Sequence, residues 1–424
     1  MEFKNDREFA SGLDTSDPLA GMRKEYLFPQ HEGKPVLYFT GNSLGLQPAG
    51  VKESLLTECE DWEKFAVEGH FKARHPWYSY HEQFAVGSAA LVGALTHEVV
   101  VMNQLTVNLH LLLVSFYRPE GKRRKILFET KPFPSDQYAF ETQARLHGLE
   151  PEDVLVEMQP RPGERTLRTG DIVSEIRRLG DELALVCFGG VNYFTGQFFD
   201  LQAITTAAHA AGAKAGFDLA HTAGNLPLQL HDWKVDFACW CTYKYLNSGP
   251  GSVGGVYIHE NHVKNTGLPR LGGWWGHKKE TRFRMEPGYD PMLSAEAWQL
   301  SNAPVFSMAV HRVALDLFSK VGMKALREKS LKLTAYLEFV LNEVAARTGV
   351  KLEIITPSDP AQRGCQLSVV VPGGSRSIVE TLSGSGAIVD WREPNVIRMA
   401  PVPMYNSFTD IFTFGEIFQH VLAK

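Results

Sequence analysis

The sequence lacks any apolar run long enough to cross a bilayer. Its most apolar stretch, Val107–Tyr117, is short and is interrupted by Asn108 and His110, whereas a spanning helix needs about 20 apolar residues. The N-terminus, Met1-Glu2-Phe3-Lys4-Asn5-Asp6-Arg7-Glu8, carries no apolar signal core. Cysteine is scarce: the five residues are odd in number, show no zinc-type spacing and fall mostly in apolar stretches, as buried free thiols do. Histidine is plentiful at 15 residues, but His259-Glu260-Asn261-His262 lacks a metal-site spacing, so no metal is expected. An excess of charge of one sign is missing too. With a net charge of −5 there is no footprint for nucleic acid or an anionic membrane, and the one basic cluster, Lys122-Arg123-Arg124-Lys125, reads as a solvated loop. Repeats and low-complexity tracts are also absent. These absences point to a cytoplasmic protein in a reducing compartment.

What is present is a long alternation of strand and helix. A chain of 424 residues, 44% hydrophobic, has material for a large domain and a smaller one. The first 35 or so residues mix charge, Gly and Pro and read as an irregular arm. Val36–Phe39 is a short strand, and Pro48 suits the first turn of a helix to about Phe65. His70–Tyr80, dense in aromatic and basic residues, suits a packed loop or a pocket for a planar substrate. Strands follow at Val99–Met102, Ile126–Glu129, Val154–Glu157, Leu183–Phe188, Ala213–Asp218, Phe237–Thr242 and Val253–His259, with helices at Thr106–Phe116, Ser135–His147, Asp171–Arg178 and Leu201–Ala211 between the earlier ones. Near-continuous apolar strands in β-α units imply a mostly parallel sheet covered on both faces. Past Trp274 the texture turns to Gly, Arg and aromatics. A helical stretch Val305–Thr348, broken near Val321-Gly322, then leads into a compact α/β segment with strands at Lys351–Ile355, Gln366–Val371, Ile388–Trp391 and Val396–Met399.

The chemistry centres on Lys244, in Cys239-Trp240-Cys241-Thr242-Tyr243-Lys244-Tyr245-Leu246, where apolar strand gives way to a glycine-rich turn. Partial desolvation makes such an amine nucleophilic toward an aldehyde. Asp218, 26 residues earlier, ends another apolar run, with His221 three residues on. An acid for a ring nitrogen and a lysine for an aldehyde are the anchors that pyridoxal phosphate requires, and both sit where ligands bind in such sheets, beyond the carboxyl ends of strands. Thr106 can cap a helix whose first N–H groups face a phosphate, or be an ordinary cap. Phe133-Pro134-Ser135-Asp136 repeats the arrangement with an aromatic plane. Arg398, within an apolar strand, has two readings: a fork for a substrate carboxylate, or an internal ion pair with Glu393 or Asp390.

Taken together these residues resemble the kynureninase family of pyridoxal phosphate enzymes. The likeness runs from Tyr38 to Phe414 through Tyr38–Pro48, Leu105–His110, Phe133–Asp136, Gly216–His221, Asp236–Cys241, Tyr243–Asn247, Gly273–His277 and Ala400–Phe408. It implies fold type I: a large domain (61–303) with a mostly parallel seven-stranded sheet between helices, a small C-terminal α/β domain (304–424), and residues 1–60 as an arm and helix on the small-domain side. It implies hydrolysis of L-kynurenine or its 3-hydroxy form to an anthranilate and L-alanine, in tryptophan catabolism and NAD biosynthesis.

By the same resemblance Lys244 takes the cofactor aldehyde, Asp218 pairs with the ring nitrogen, Phe133 stacks on the ring, and Leu105, Thr106, Tyr243 and Trp274 hold the phosphate. Ser135, Asp136 and His221 border the cofactor, Asn302 reaches cofactor or substrate, and Ser43, His70 and Arg398 serve the substrate. Tyr243 is a candidate proton donor. A homodimer with shared sites is expected. One position departs: Gly189 stands where some relatives carry serine or threonine. Two rivals remain, a cysteine desulfurase using Cys365 and a non-catalytic protein that binds the cofactor.

Overall fold

The computed structural model describes residues 2–423. Its main sheet has seven strands: β1 Val99–Met102, β2 Lys125–Phe128, β3 Leu155–Glu157, β4 Leu183–Gly189, β5 Lys214–Asp218, β6 Phe237–Cys241 and β7 Gly254–Ile258. Their spatial order is β1-β7-β6-β5-β4-β2-β3. Only β7 runs antiparallel to its neighbours; the other pairings are parallel. The strands are apolar almost throughout because both faces are covered. Along β6, Phe237 and Cys239 enter one buried cluster with Leu109, Leu112 and Phe140, while Ala238 and Trp240 enter the other with Ile176, Leu201 and Ile204. That is the two-residue alternation of a strand between two helical layers.

A second, antiparallel sheet follows, with β8 Glu353–Ile354, β9 Leu367–Val370, β10 Asp390–Arg392 and β11 Val396–Met399 in the order β8-β9-β11-β10. Its apolar face packs on the helices Met323–Thr348 and Phe408–Leu422 through Leu337, Val340, Leu341, Ile411 and Phe418. The long helical stretch breaks where the sequence marks it, at Gly322 with φ +78° between helices Val305–Val321 and Met323–Thr348.

Three expectations are corrected. The N-terminal arm is not irregular: Arg7–Thr15 is a helix whose N-cap Asp6 accepts from the Phe9 N–H. Its Asp14 accepts from the N–H groups of Phe408 and Thr409, so the docking site supplies the order. Pro48 does not open a helix; Gln47–Pro48 pairs with Tyr26–Leu27, and the helix begins at Val51. The expected strand Ile388–Trp391 is two pieces: Ala387–Ile388 pairs with Leu37–Tyr38, while β10 pairs with β11.

Residues at the carboxyl ends of β4, β5 and β6 share one edge of the sheet, and close strand packing fixes their spacing. Gly216 in β5 lies opposite Phe237 in β6, and a Cβ added there would meet the Phe237 ring at 2.0 Å. That ring is already stacked on Phe116 at 4.7 Å. Gly216→Ala is expected to destabilise the protein by about 1–3 kcal/mol through overpacking. Urea unfolding is the check; an unchanged midpoint would contradict this packing constraint.

Candidate active site

Lys244 follows β6 in a tight turn closed by the Asn247 N–H donating to the Lys244 carbonyl (2.9 Å) and the Ser248 N–H donating to the Thr242 carbonyl (3.0 Å). The turn buries Lys244 to 9% exposure and sets its Nζ 3.0 Å from His221 Nε2. Burial pushes His221 well below the ordinary histidine range, and the charges of Lys244, Arg398 and Arg392 push the same way. The ring is therefore neutral and Nε2 accepts from the ammonium, which leaves the proton on Nδ1. Nδ1 is buried without a hydrogen-bond partner, a donor waiting for an acceptor that the protein does not supply.

Asp218 ends β5, and its Oδ1 accepts from the Ala220 N–H at 2.7 Å. Burial raises its pKa, opposed by the charge of Lys244 and by that N–H. Asp136 enters from the helix Pro134–Leu146 and is pushed further up, by burial first and then by Asp218 and Glu129. Two hydrogen-bonded carboxyls in a desolvated space share a proton, so at most one is charged.

Phe133, N-cap of that helix, is half exposed, with its ring centroid 5.5 Å from Lys244 Nζ. At the other wall the helix Leu105–Phe116 starts with Gln104, not Thr106, at the N-cap, and no side chain caps it. Thr106 is inside the first turn, so its hydroxyl and the leading N–H groups stay available to an anion. Burial pushes the Tyr243 phenol up, with Cys241 adding to it.

These groups line one cavity of about 200 Å³. Of the residues expected at a site, it brings together Leu105, Thr106, Phe133, Ser135, Asp136, Asp218, His221, Tyr243 and Lys244. It adds several that sequence reasoning did not single out, among them Gln104, Glu129 and Tyr193. Glu129 carried the same signal as Asp218, a carboxylate closing an apolar run.

Other expected residues lie apart. Trp274 is 47% exposed in a separate cleft, its indole N–H donating to the Arg282 carbonyl. Asn302 lines another cleft beside Asn103 and Gln104. Ser43 is exposed in its loop, and His70 packs edge-on against Trp77. The loop of Ser43 is nonetheless tied to the lysine turn, since the Gly45 N–H donates to the Tyr243 carbonyl at 2.8 Å. Arg398 is buried behind Tyr193, donating to its carbonyl (2.6 Å) and to Asp390, with Nε unpartnered. The Asp390 ion pair left open by the sequence is therefore present; Glu393 instead accepts from the Trp391 indole.

Glu98, His231 and His259 bring three potential ligand atoms within 4.8 Å of one another. Glu98, however, accepts from the N–H groups of Leu95 and Glu260, and His259 Nδ1 from that of Asn261. Both are committed to holding turns. Cys365 is fully buried, its thiol pushed up to about 12 by burial, which is the opposite of a mobile nucleophile.

The cavity suits pyridoxal phosphate: an amine for the aldehyde, a carboxylate for a ring nitrogen, an aromatic plane, and a helix start for the phosphate. The unpartnered His221 Nδ1 is the kind of buried donor that a polar ring ligand satisfies.

Comparison with known proteins agrees with this geometry. The family model described as the kynureninase C-terminal domain matches residues 326–418. Among full-length relatives, the kynureninase of Flavobacterium psychrophilum is 54% identical over 98% of each chain. That of Flavobacterium johnsoniae is 54% identical over 100% of each, and that of Myxococcus xanthus 53% over 97% of this chain and 96% of its own. Among solved structures, a C-DES mutant with glycine covalently linked to its PLP cofactor superposes with a TM-score of 0.76 at 17% identity, covering 90% of this chain and 96% of that one. The cysteine desulfurase CsdA from Escherichia coli gives 0.75 at 18% identity, covering 95% and 98%. These last two likenesses concern the fold.

Proposed function

The chain belongs to the kynureninase family, and on that premise we propose that the cavity around Lys244 hydrolyses L-kynurenine, or its 3-hydroxy form, to an anthranilate and L-alanine, a step of tryptophan catabolism. Pyridoxal phosphate is its cofactor; when bound, it supplies an aldehyde for the amino acid's amine and a conjugated ring that takes up electrons from bonds at the α- and β-carbons. The observation that carries the reading is the meeting of Lys244, Asp218, Phe133 and the open helix start at Leu105-Thr106 in one cavity. The deep burial of Cys365 disfavours the desulfurase reading.

In the proposed division of labour, Lys244 would hold the aldehyde, and its Nζ would move the substrate's α-proton. Asp218 would keep a proton on the ring nitrogen, and Asp136 and His221 would border the cofactor. Phe133 would cover the ring, Ser135 would border the cofactor, and Leu105, Thr106 and Tyr243 would hold the phosphate end. Water adds to the substrate's γ-carbonyl and the Cβ–Cγ bond breaks; Tyr243, whose phenol stays protonated, gives a proton to the departing β-carbon. Arg398 takes the substrate carboxylate, exchanging Asp390 for it, and Ser43 and His70 serve the aryl end.

Trp274 and Asn302 are proposed to act on the site of a second copy in a homodimer. This reading is supported by the exposed apolar surface around Trp274, which includes Phe71, Leu271, Phe283 and Met285, with Tyr78 5.7 Å from both Phe71 and Phe283; so much apolar surface marks an interaction site. The division into residues 1–60, 61–303 and 304–424 belongs to the same proposal, supported by the burial of Ala10 and Phe39 with Leu337 and Phe418. No helix among the described residues is long and apolar enough to cross a membrane.

The test is anthranilate fluorescence on adding L-kynurenine to the cofactor-loaded protein. Turnover is expected, and Lys244→Ala should reduce it by about 10²-fold or more; a variant with near-normal rates would remove Lys244 from the chemistry. Arg398→Lys keeps the charge but breaks the fork, and KM should rise about tenfold, the cost of one charge-assisted hydrogen bond; an unchanged KM would leave Arg398 as the partner of Asp390 alone. Mixing Lys244→Ala with Asn302→Ala protein under subunit exchange should restore activity that neither has, since a hybrid dimer holds one intact site. No recovery despite proven exchange would mean that each site is built from a single chain.

A further inference from the structure

Glu129 lies just beyond β2, at the same edge of the sheet as Asp218, and lines the cavity. It is 4% exposed. Both carboxyl oxygens face one donor, the Gly189 N–H, at 3.0 and 3.1 Å. No cation pairs with it among the described residues, and a buried carboxylate held by neutral N–H groups alone, its own and that of Gly189, is poorly compensated. The titratable groups around it are Asp218 on β5, Asp136 on the helix Pro134–Leu146, Glu157 on β3 and the Cys187 thiol on β4, which burial keeps un-ionised, with Lys244 beyond Asp218. Asp218 and Glu157 disfavour a second negative charge here.

Position 189 is matched to this carboxyl. A Cβ on Gly189 would meet Glu129 Oε1 at 2.8 Å, closer than real contacts allow, so the acid occupies the space that a side chain at 189 would need.

We propose that Glu129 is a positioning residue for the cofactor: it keeps a neutral carboxylic acid beside Asp218 and so reserves the negative charge of the cavity for Asp218. This deepens the reading of the cavity as a pyridoxal phosphate site and rests on it. Asp218 can hold a proton on a ring nitrogen only while it is itself anionic, and a second ionised carboxyl nearby would draw that proton back. Glu129 fits the role because it is buried at the same sheet edge as Asp218 without a cation; burial pushes it up to about 7, its own N–H and that of Gly189 oppose the rise, and Asp218 and Glu157 add to it. Because the folded-state value is raised, the acid form dominates below about pH 7 and is lost as pH climbs through it.

Two measurements test this. Infrared spectra of the cofactor-free full-length protein, with ¹³C-labelled glutamate to separate glutamate from aspartate bands, should show a protonated glutamate C=O stretch at pH 6 that fades toward pH 8. That band should be missing in Glu129→Gln. In protein loaded with pyridoxal 5′-phosphate, the absorption spectrum of bound cofactor should change with pH. In Glu129→Gln, which keeps a neutral group beside Asp218 at every pH, this transition should move to higher pH by about half a unit or more, since no second carboxylate forms to draw the proton back, while cofactor affinity changes less than about threefold.

A glutamate that is ionised at pH 6, or a Gln variant with the parent's spectral transition, would overturn the proposal and leave Glu129 as a space-filling group. The labelled parent protein carries the first measurement should the variant fail to fold. Neither readout uses kynurenine, so a wrong substrate assignment would show separately, as absent turnover with both signals intact.

Discussion

A lysine ammonium and three carboxyls share one desolvated cavity, and they cannot all be charged. Water is largely excluded from Lys244, Asp218, Asp136 and Glu129, so each added charge of the same sign is costly. Burial raises the pKa values of Asp218, Asp136 and Glu129 together, so the three acids compete for one negative charge. His221, kept neutral by burial and by the cations around it, accepts from Lys244 without adding charge. The rest of the structure holds these few groups at fixed separations.

The fold does this with the ends of strands. Asp218 lies between Gly189 and Cys239 in register, so the groups that follow β4, β5 and β6 are spaced by strand pairing rather than by loops. Gly216 lets β5 sit close to Phe237, and the Lys244 turn is pinned from the N-terminal side by Gly45 on the Tyr243 carbonyl. The small sheet reaches the same place from behind: Arg398 on β11 donates to the carbonyl of Tyr193, a residue that lines the cavity. Both sheets therefore meet at the segment around Tyr193.

Much of this was legible in the sequence because an apolar run ending in a polar residue marks the carboxyl end of a buried strand. Lys244 and Asp218 were found that way. Glu129 obeys the same rule, but a glutamate after a strand is commonplace, and only the converging positions of Asp136 and Asp218 make it informative. The partner of Arg398 could not be chosen from spacing. Asp390 is its cross-strand neighbour between β10 and β11, a relation that requires knowing the hairpin register, whereas Glu393 sits in the turn. The helix Arg7–Thr15 was missed because its order depends on Asp14 capping a helix nearly 400 residues away, a tertiary contact that local propensity does not contain. Pro48 was misread for a similar reason, since pairing with Tyr26 overrides its helix-start preference. Trp274 and Asn302 are exposed in clefts of their own, which the motif pattern could not foretell from one chain.

The most direct measurement of the central claim is borohydride reduction of the protein loaded with pyridoxal phosphate, followed by peptide mapping. A single label is expected on the peptide spanning Cys239–Asn247, at Lys244. A label on any other lysine, with Lys244 unmodified, would contradict the assignment of this cavity as the catalytic site.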